Sequence, residues 1–358
     1  MAVNPPVEDH GSPRILLIRR RYLGDLVLLG VAIAKLRAQW PKAHISVMTE
    51  SAYSGVLAMN PNVNAVITFP HSPMQWWAVW RQLRKQRIDL LLDFDNRDKT
   101  AFISLLSGAK QRLALHNGLK VHLRWAYTDA ELVPLDFLIG RHVTSYFDRL
   151  LVRAGVSAEA GDSTLRPLAT DTEHVRLMPT LSCLPADRPR LIVHPGSRSE
   201  FRLWPAENFA AVLNKLHAEG LASITLIAGP TEQVLIDSIQ DLLNFPAACI
   251  REALTVPQLG ALLAEFDALL CHDSGPMHVA AAVGIPVVAL FGAQGSTVFA
   301  PLGTGHELLS PPIPCINCVT PNECVPGDTY RMRCVRNIST NTVFAAVQRL
   351  LLTASQRT

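Results

Sequence analysis

Apolar runs that end abruptly in polar or turn residues alternate along this chain with amphipathic segments. In the first half the apolar runs predict strands at 14–18, 44–49, 65–69 and 88–94. Helical periodicity predicts helices at about 26–39, 51–58, 75–86 and 142–154. Regular alternation of strands and helices is typical of a parallel sheet covered by helices.

The same alternation restarts after residues 156–189, which are poorly periodic and contain several prolines, so part of this segment is interpreted as a linker. The second half predicts strands at 190–194, 223–229, 268–271 and 287–291. Its predicted helices cover 206–218 and 275–283, with others from about 231 and from 255 to about 266. The expected fold is α/β, with two Rossmann-like, doubly wound domains facing across a cleft.

The expected domains are 14–165, a linker at 166–189, and 190–340, followed by a C-terminal helix at 341–358 that packs back on the first domain. The length of 358 residues suits two domains, and 49% hydrophobic with 18% charged residues indicates a globular protein. A net charge of +3 gives no indication of nucleic-acid binding. No apolar run is long enough to span a membrane, and the first residues lack a signal-peptide core, so a cytoplasmic protein is expected.

The most informative segment is CHDSGPMH at 271–278, which follows one predicted strand and opens a helix that leads to the next. Open α/β sheets bind ligands where a strand ends at a helix start, and the free N–H groups there favour a phosphate. Asp273, Ser274 and His278 would lie near that position. The alternatives are a helix N-cap for Asp273 and a packed or surface histidine for His278.

Two further strand ends carry polar residues, and those of the first suit a diphosphate. HPGSR at 194–198 offers Ser197 and Arg198, with Arg202 following, and arginine gives bidentate donors to phosphate oxygens. The alternative is a loop without a binding role, in which the arginine is solvated. After the next strand, Thr231 is a predicted N-cap, and Glu232 in the first helical turn favours the helix dipole without any ligand.

Asp25 follows the first predicted strand and opens the first helix. It is either a helix N-cap or a carboxylate placed as general base for a hydroxyl nucleophile. A helix start stabilises the carboxylate anion, which weakens it as a base.

Two features away from the strand ends, a cysteine cluster and a helix rich in tryptophan, each allow two interpretations. Four cysteines, Cys315, Cys318, Cys324 and Cys334, resemble a metal-ligand set, but their irregular spacing also fits reduced thiols, and a zinc ribbon would show two regular pairs. The helix from Met74 to Lys85 holds three tryptophans and three basic residues. This composition suggests contact with a membrane surface or an anionic lipid, although one helix face must pack on the sheet.

Taken in order, GD at 24–25, HPGSRSEFRLWP at 194–205, GPTE at 229–232 and HDSGPMHVAAAVGIPVVALFG at 272–292 resemble glycosyltransferase family 9, the ADP-heptose:lipopolysaccharide heptosyltransferases. The resemblance covers about residues 14–340. It implies a GT-B fold with an acceptor-binding first domain and a second domain that binds the nucleotide sugar.

The resemblance also implies residue roles. Asp25 matches the catalytic base, and Asp273 matches the aspartate that holds the sugar hydroxyls. Ser274 and Gly275 would present backbone to the diphosphate, with His278 close by, and Glu232 would lie near the ribose. Arg202 stands where the family commonly has lysine. The positive charge is kept, but a compact ammonium group is replaced by a planar guanidinium.

The implied reaction is a single inverting displacement from an ADP-sugar to a hydroxyl of a lipid-linked or oligosaccharide acceptor, requiring no cofactor or metal. Asp93, Asp95, Asn96 and Arg97 are candidates for acceptor contacts, and Arg112 and His116 are further ones. Two alternatives stay open at this point: a sugar-nucleotide epimerase, which needs no acceptor, and a non-catalytic sugar-nucleotide or lipid-binding protein. A peripheral location at the inner face of the cytoplasmic membrane is the expectation for a lipid-linked acceptor.

Overall fold

The computed structural model describes residues 12–116, 123–159, 161–185, 187–198, 202–292, 295–311 and 333–355. The chain divides into two compact units, Met1–Arg166 and Pro167–Thr358. Each unit contains one six-stranded sheet, and every pair of neighbouring strands is parallel.

The first unit builds its sheet in the order β3-β2-β1-β4-β5-β6. Its strands are β1 (Arg14–Ile18), β2 (His44–Thr49), β3 (Ala65–Thr68), β4 (Leu90–Asp93), β5 (Gln111–His116) and β6 (Asp129–Leu132). Its helices are α1 (Leu23–Gln39), α2 (Ser51–Ala58), α3 (Pro73–Gln86), α4 (Asp98–Ser107) and α5 (Thr144–Arg153). Two short 3-10 turns lie at Arg124–Ala126 and Leu135–Leu138.

The second unit builds its sheet in the order β12-β11-β10-β7-β8-β9. Its strands are β7 (Arg190–His194), β8 (Ser223–Ile227), β9 (Ala248–Ile250), β10 (Ala268–His272), β11 (Val287–Leu290) and β12 (Glu307–Leu309). Its helices are α6 (Ala169–Arg176), α7 (Pro179–Ser182), α8 (Ala206–Ala218), α9 (Gln233–Gln240), α10 (Val256–Leu263), α11 (Gly275–Ala282), α12 (Arg333–Arg336) and α13 (Thr340–Ser355).

Central strands are buried on both faces, which explains why they appear in the sequence as continuous apolar runs. In the first unit, Leu16 and Ile18 of β1 pack with Val79 and Leu83 of α3 on one face of the sheet. In the second unit, one core cluster includes strands β7, β8 and β10 together with helices α8 and α13.

The segment 166–189, interpreted from the sequence as a linker, contains α6 and α7. Helix α6 packs against α10, and Arg176 pairs with Glu265 at 2.8 Å, so the segment from Pro167 onward forms part of the second unit. Helix α13 packs against α8 and three strands of the second sheet. Its expected packing on the first domain stays a prediction. Among the described helices, none is both long and apolar enough to cross a bilayer.

The chain order reverses within each sheet, and this positions the sites. In the first sheet the reversal falls between β1 and β4, and in the second between β7 and β10. Loops that leave adjacent strands in opposite directions open a crevice at the carboxyl edge of the sheet. The loops after these four strands are therefore where ligand contacts are expected.

Candidate functional site

In the second unit the predicted donor residues Ser197, Arg198, Arg202, Asp273 and Ser274 lie in the loops after β7 and β10. These loops are adjacent because Cys271 pairs with His194 in the sheet. Asp273 follows β10 directly and is almost fully buried. Its carboxylate Oδ2 lies 3.2 Å from Nη1 of Arg202, which also donates a hydrogen bond of 3.3 Å to the Asp273 carbonyl oxygen. The structure therefore brings these two predicted residues together.

The N-cap of α11 is Ser274, so Asp273 is not the cap that its position allowed. The Ser274 hydroxyl oxygen is buried, and it has no hydrogen-bond partner among the described residues. Gly275 is the first residue of α11 and Pro276 the second. An unsatisfied buried hydroxyl beside free backbone N–H groups is an arrangement that suits an anionic ligand.

Glu232 is the N-cap of α9 rather than a residue of its first turn, and the helix begins two residues beyond the predicted cap Thr231. Its Oε2 accepts a hydrogen bond of 3.0 Å from the Gly229 N–H and lies 3.6 Å from Nε2 of His194. Glu232 also crosses over Gly196, where a Cβ would meet its carboxylate at 2.2 Å. Only glycine at 196 leaves room for this placement.

His272 belongs to the CHDSGPMH segment, but the sequence analysis gave it no role of its own, because it ends a strand and its partners are distant in the chain. It is fully buried, and its Nε2 accepts a hydrogen bond of 2.8 Å from the Trp204 N–H. Its Nδ1 lies 3.4 Å from the Gly196 carbonyl oxygen and donates to it. Burial lowers the pKa of His272 to about 3, so the ring is neutral and joins the Gly196 loop to the segment that carries Arg202.

The remaining predicted donor residues are Ser197 and Arg198 in the loop after β7, and His278 in helix α11. Ser197 is half-buried, Arg198 is exposed, and His278 is buried as the fourth residue of α11. His194 is also buried, and burial lowers its pKa while the nearby Glu232 opposes that shift.

In the first unit, Arg19 organises the loop after β1. Its Nη2 donates a hydrogen bond of 2.6 Å to Oδ2 of Asp25, and its Nη1 lies 3.2 Å from Oδ1 of Asp95. Asp25 is the third residue of α1, whose N-cap is Tyr22, so the N-cap alternative for Asp25 is wrong. One guanidinium thus holds the predicted base and a predicted acceptor residue side by side.

The loop after β4 is shaped by Asp93, which is fully buried. Its Oδ1 accepts hydrogen bonds from the N–H groups of Asp95 and Asn96 at 2.9 and 3.0 Å, and its Oδ2 accepts one from the Tyr127 hydroxyl at 2.5 Å. Burial, with the charge of Asp95, raises the pKa of Asp93 to about 6. Asp93 therefore holds the backbone of this loop in place through its buried carboxylate.

A cavity of about 580 Å³ lies at this edge of the first sheet, and both Asp25 and Asp95 line it. Its other lining residues are Arg19, Arg20, Arg21, Tyr22, Arg97, Asp98 and Lys99. Arg20 is held by Glu50, with Nη2–Oε1 at 2.5 Å. Five cations face three carboxylates, so the cavity has a positive balance.

The sequence signal for this cavity was the run of three arginines at 19–21, to which the sequence analysis assigned no role.

Of the predicted acceptor residues, Asp95 and Arg97 line the cavity with Asp25. Asn96 is buried, with a left-handed φ of 43°, a conformation that asparagine adopts more readily than most residues. Arg112 donates to the carbonyl oxygens of Ala126 and Ala109 at 2.7 and 2.6 Å, and so braces two loops. His116 ends β5 and does not line the cavity.

The predicted cysteine cluster is described only in part. Cys315, Cys318 and Cys324 lie outside the described residues, and Cys334 is buried at the start of α12. Within the described parts of the chain, no group of three or more histidine, cysteine or acidic side chains is placed to hold a metal.

Comparison with known proteins identifies the family and the fold. The family model described as glycosyltransferase family 9 (heptosyltransferase) matches residues 76–325. Lipopolysaccharide heptosyltransferase 3 of Escherichia coli is 25% identical over 305 residues, covering 78% of this chain and 84% of that protein.

Two solved structures resemble nearly the whole chain. The glycosyltransferase family 9 structure from Veillonella parvula has a TM-score of 0.81 at 19% identity, covering 99% of this chain and 100% of that one. The E. coli ADP-heptose lipopolysaccharide heptosyltransferase II structure has a TM-score of 0.73 at 20% identity, covering 96% and 99%. Together with the two parallel sheets, these likenesses confirm the predicted GT-B fold.

Proposed function

This chain belongs to glycosyltransferase family 9, and from that premise we propose that it transfers a heptose from ADP-heptose to a hydroxyl of a lipopolysaccharide core acceptor. The relatives it resembles are named as heptosyltransferases of lipopolysaccharide, one of them with ADP-heptose as the named sugar nucleotide. The single observation that carries the proposal is the start of α11, where the Arg202–Asp273 pair adjoins the unsatisfied Ser274 hydroxyl.

The donor is proposed to bind at the carboxyl edge of the second sheet. The Ser274 hydroxyl and the N–H groups at the start of α11 suit the diphosphate, and Arg202 adds positive charge beside it. Asp273 accepts hydrogen bonds from the sugar hydroxyls, and Glu232 contacts the ribose. Ser197, Arg198 and His278 complete the donor contacts.

Arg202 has two tasks in this proposal. Its guanidinium contacts Asp273 through Nη1, and its other N–H groups are proposed to donate to phosphate oxygens. A guanidinium has five N–H donors, whereas an ammonium has three on one nitrogen. An arginine here can therefore hold Asp273 and a phosphate oxygen at the same time.

Asp25 is proposed as the general base. The acceptor oxygen forms a bond to the anomeric carbon of the donor, the bond from that carbon to the diphosphate oxygen breaks, and Asp25 takes the hydroxyl proton. ADP leaves with the bonding electron pair, and the configuration at the anomeric carbon inverts. Preorganised donors at the diphosphate stabilise the charge that develops on it.

The acceptor is proposed to be anionic and to enter the 580 Å³ cavity of the first unit. Arg21, Arg97 and Lys99 line this cavity in addition to Arg19 and Arg20, which are held by carboxylates. Phosphate or carboxylate groups on the acceptor sugars would satisfy these cations. The positive balance disfavours a neutral oligosaccharide as acceptor.

Incubation with ADP-heptose and a series of truncated lipopolysaccharide cores tests the proposal, with mass spectrometry of the acceptor. The expected product is an acceptor heavier by one heptosyl residue, with release of one ADP. Conversion of the sugar nucleotide without acceptor would instead identify an epimerase. Binding of ADP-heptose without turnover of any core would favour a non-catalytic binding protein. Asp273→Ala is the matched variant, expected to lose donor affinity first.

A further inference from the structure

Helices α3 and α4 and the 3-10 turn Arg124–Ala126 cover one face of the first sheet. Val79 and Leu83 of α3 and Ile103 of α4 pack on the same side chains of β1 and β4. Ala101 of α4 packs with Ala126 of the turn and Ala114 of β5. The outer sides of these three elements therefore form one continuous surface, which we call the α3–α4 face.

The α3–α4 face exposes large apolar side chains that the core does not use. Met74 is 79% exposed, Trp77 55%, Phe102 44% and Trp125 65%. Trp80 is 39% exposed. An isolated exposed aromatic residue is ordinary, whereas five large apolar side chains on one surface indicate an interaction site.

Packing accounts for the inward side of α3 but not for its outward side. Val79 and Leu83 fill the core, and Trp76 packs edge-on against Phe69 and leans on Phe102. Trp77 has no such neighbour among the described rings, and the guanidinium of Arg81 lies 4.6 Å from its ring centroid. The tryptophans at 77 and 125 thus contribute little to the fold.

The charge on this face has one sign along α3. Arg81, Arg84 and Lys85 lie in its second half, Arg87 follows, and no acidic residue occurs between Pro73 and Ile88. Met74, Trp77, Arg81 and Lys85 are spaced by three or four positions, so they follow one side of the helix. Basic and aromatic side chains on one side of a helix are typical of helices that lie in the interface of an anionic membrane.

We propose that the α3–α4 face binds the surface of an anionic lipid bilayer. The aromatic side chains enter the headgroup region, and the basic side chains contact the lipid phosphates. The face also adjoins the cavity of the first unit, since Lys99 lines that cavity and Phe102 lies one helical turn further along α4. Binding to the bilayer would hold this cavity close to the headgroups, where a lipid-linked acceptor presents its sugars.

Co-sedimentation with vesicles tests the proposal without turnover, so its result is independent of the proposed transferase activity. The vesicles are phosphatidylcholine alone and an equal mixture of phosphatidylcholine and phosphatidylglycerol. The wild-type chain is expected to bind the mixture and to bind phosphatidylcholine at least tenfold more weakly. The double variant Arg81→Gln, Lys85→Gln should weaken binding to the mixture roughly 30-fold. Each lost charge near an anionic surface is expected to weaken binding about fivefold, and the two effects multiply.

The aromatic contribution is tested by Trp77→Ala with Trp125→Ala, expected to weaken binding to the mixture by about tenfold or more. Leu177→Ala with Val234→Ala is the matched control, because these second-unit side chains are 76% and 72% exposed. Lys42→Gln with Arg188→Gln controls for charge removed elsewhere. Both controls should bind like the wild type, and circular dichroism should show all variants folded.

Three outcomes would overturn the proposal. The first is equal binding of the wild type to both vesicle types, and the second is unchanged binding of the Trp77 and Arg81 variants. The third is a wild-type dimer that becomes a monomer in the Trp77→Ala, Trp125→Ala variant, which would assign the face to a second copy of the chain.

Discussion

The guanidinium of Arg19 donates a 2.6 Å hydrogen bond to the carboxylate of Asp25. The same side chain reaches Asp95 and the Phe94 carbonyl oxygen, so it fixes the start of α1 against the loop after β4. Asp25 and Arg19 are 18% and 20% exposed, which leaves the carboxylate open to the cavity but restricts its motion. Such positioning is what a general base requires, since it must meet the hydroxyl in one orientation.

Replacing Arg19 by glutamine should destabilise the first unit, because two part-buried carboxylates lose their shared cation. We expect the free energy of unfolding to fall by about 2 kcal/mol, less than for a fully buried pair. Urea denaturation measures this change. Arg14→Gln is the control, since that arginine is exposed at the start of β1, and its loss should stay within about 0.5 kcal/mol. Equal losses in the two variants would contradict the role given to Arg19.

Gly196→Ala should disturb the donor site, because the new Cβ would lie 2.2 Å from the Glu232 carboxylate. Glu232 must then leave the Gly229 N–H, and we expect ADP affinity to fall at least tenfold, or about 1.4 kcal/mol. Isothermal titration calorimetry with ADP measures the affinity. Gly30→Ala is the matched control, since its nearest heavy atom would be 3.5 Å away. If Gly196→Ala binds ADP normally, Glu232 has no part in the donor site.

His272→Ala should remove the connection between Gly196 and Trp204. A buried N–H and a buried carbonyl group lose their partners, and we expect a loss of stability of about 2–4 kcal/mol. The effect depends on pH. The folded pKa of about 3 lies below that of unfolded histidine, so the unfolded state binds more protons and the wild type loses stability on acidification.

The stability advantage of the wild type over His272→Ala should therefore shrink by about 2 kcal/mol between pH 7 and pH 5. Denaturation curves of both proteins at the two pH values give this difference. A constant advantage would mean that His272 is not held neutral in the folded chain.

Asp93→Asn should have a pH dependence of opposite sign. The folded pKa of about 6 lies above that of unfolded aspartate, so the folded state binds more protons between pH 4 and pH 6. Wild-type stability therefore falls as pH rises through this range, whereas asparagine does not titrate. Relative to the wild type, the variant should gain roughly 2 kcal/mol between pH 4 and pH 7. A difference that stays flat across this range would show that Asp93 titrates normally.

The sequence predicted the central strands well, for a physical reason. Strands such as β1, β2 and β7 are covered on both faces, so each is a continuous apolar run with polar residues at its ends. The edge strands β6, β9 and β12 escaped notice, and so did the interior strand β5. The sequence of β6 is DAEL and the strand is only half-buried, so neither alternation nor apolar length distinguishes it from a loop.

The positions of the candidate residues Asp25 and Asp273 were predictable because a strand end and a helix start coincide there, and their roles stay predictions. The ion pairs that these side chains form could not be predicted from the sequence. Nothing in the run of three arginines at 19–21 distinguishes Arg19, which reaches Asp25 and Asp95, from Arg20, which binds Glu50. His272 was missed because its partners, Trp204 and Gly196, are each about seventy residues away.

The assignment of Asp25 as the base is tested most directly by Asp25→Asn, with transfer and donor binding measured on the same preparation. Asparagine is nearly isosteric with aspartate and cannot accept the proton. The expected result is a fall of about 10²–10⁴-fold in the rate of heptose transfer from saturating ADP-heptose. The Kd for ADP-heptose should stay within about twofold of the wild type, since a change of that size is under 0.5 kcal/mol. Transfer by Asp25→Asn at close to the wild-type rate would contradict the account.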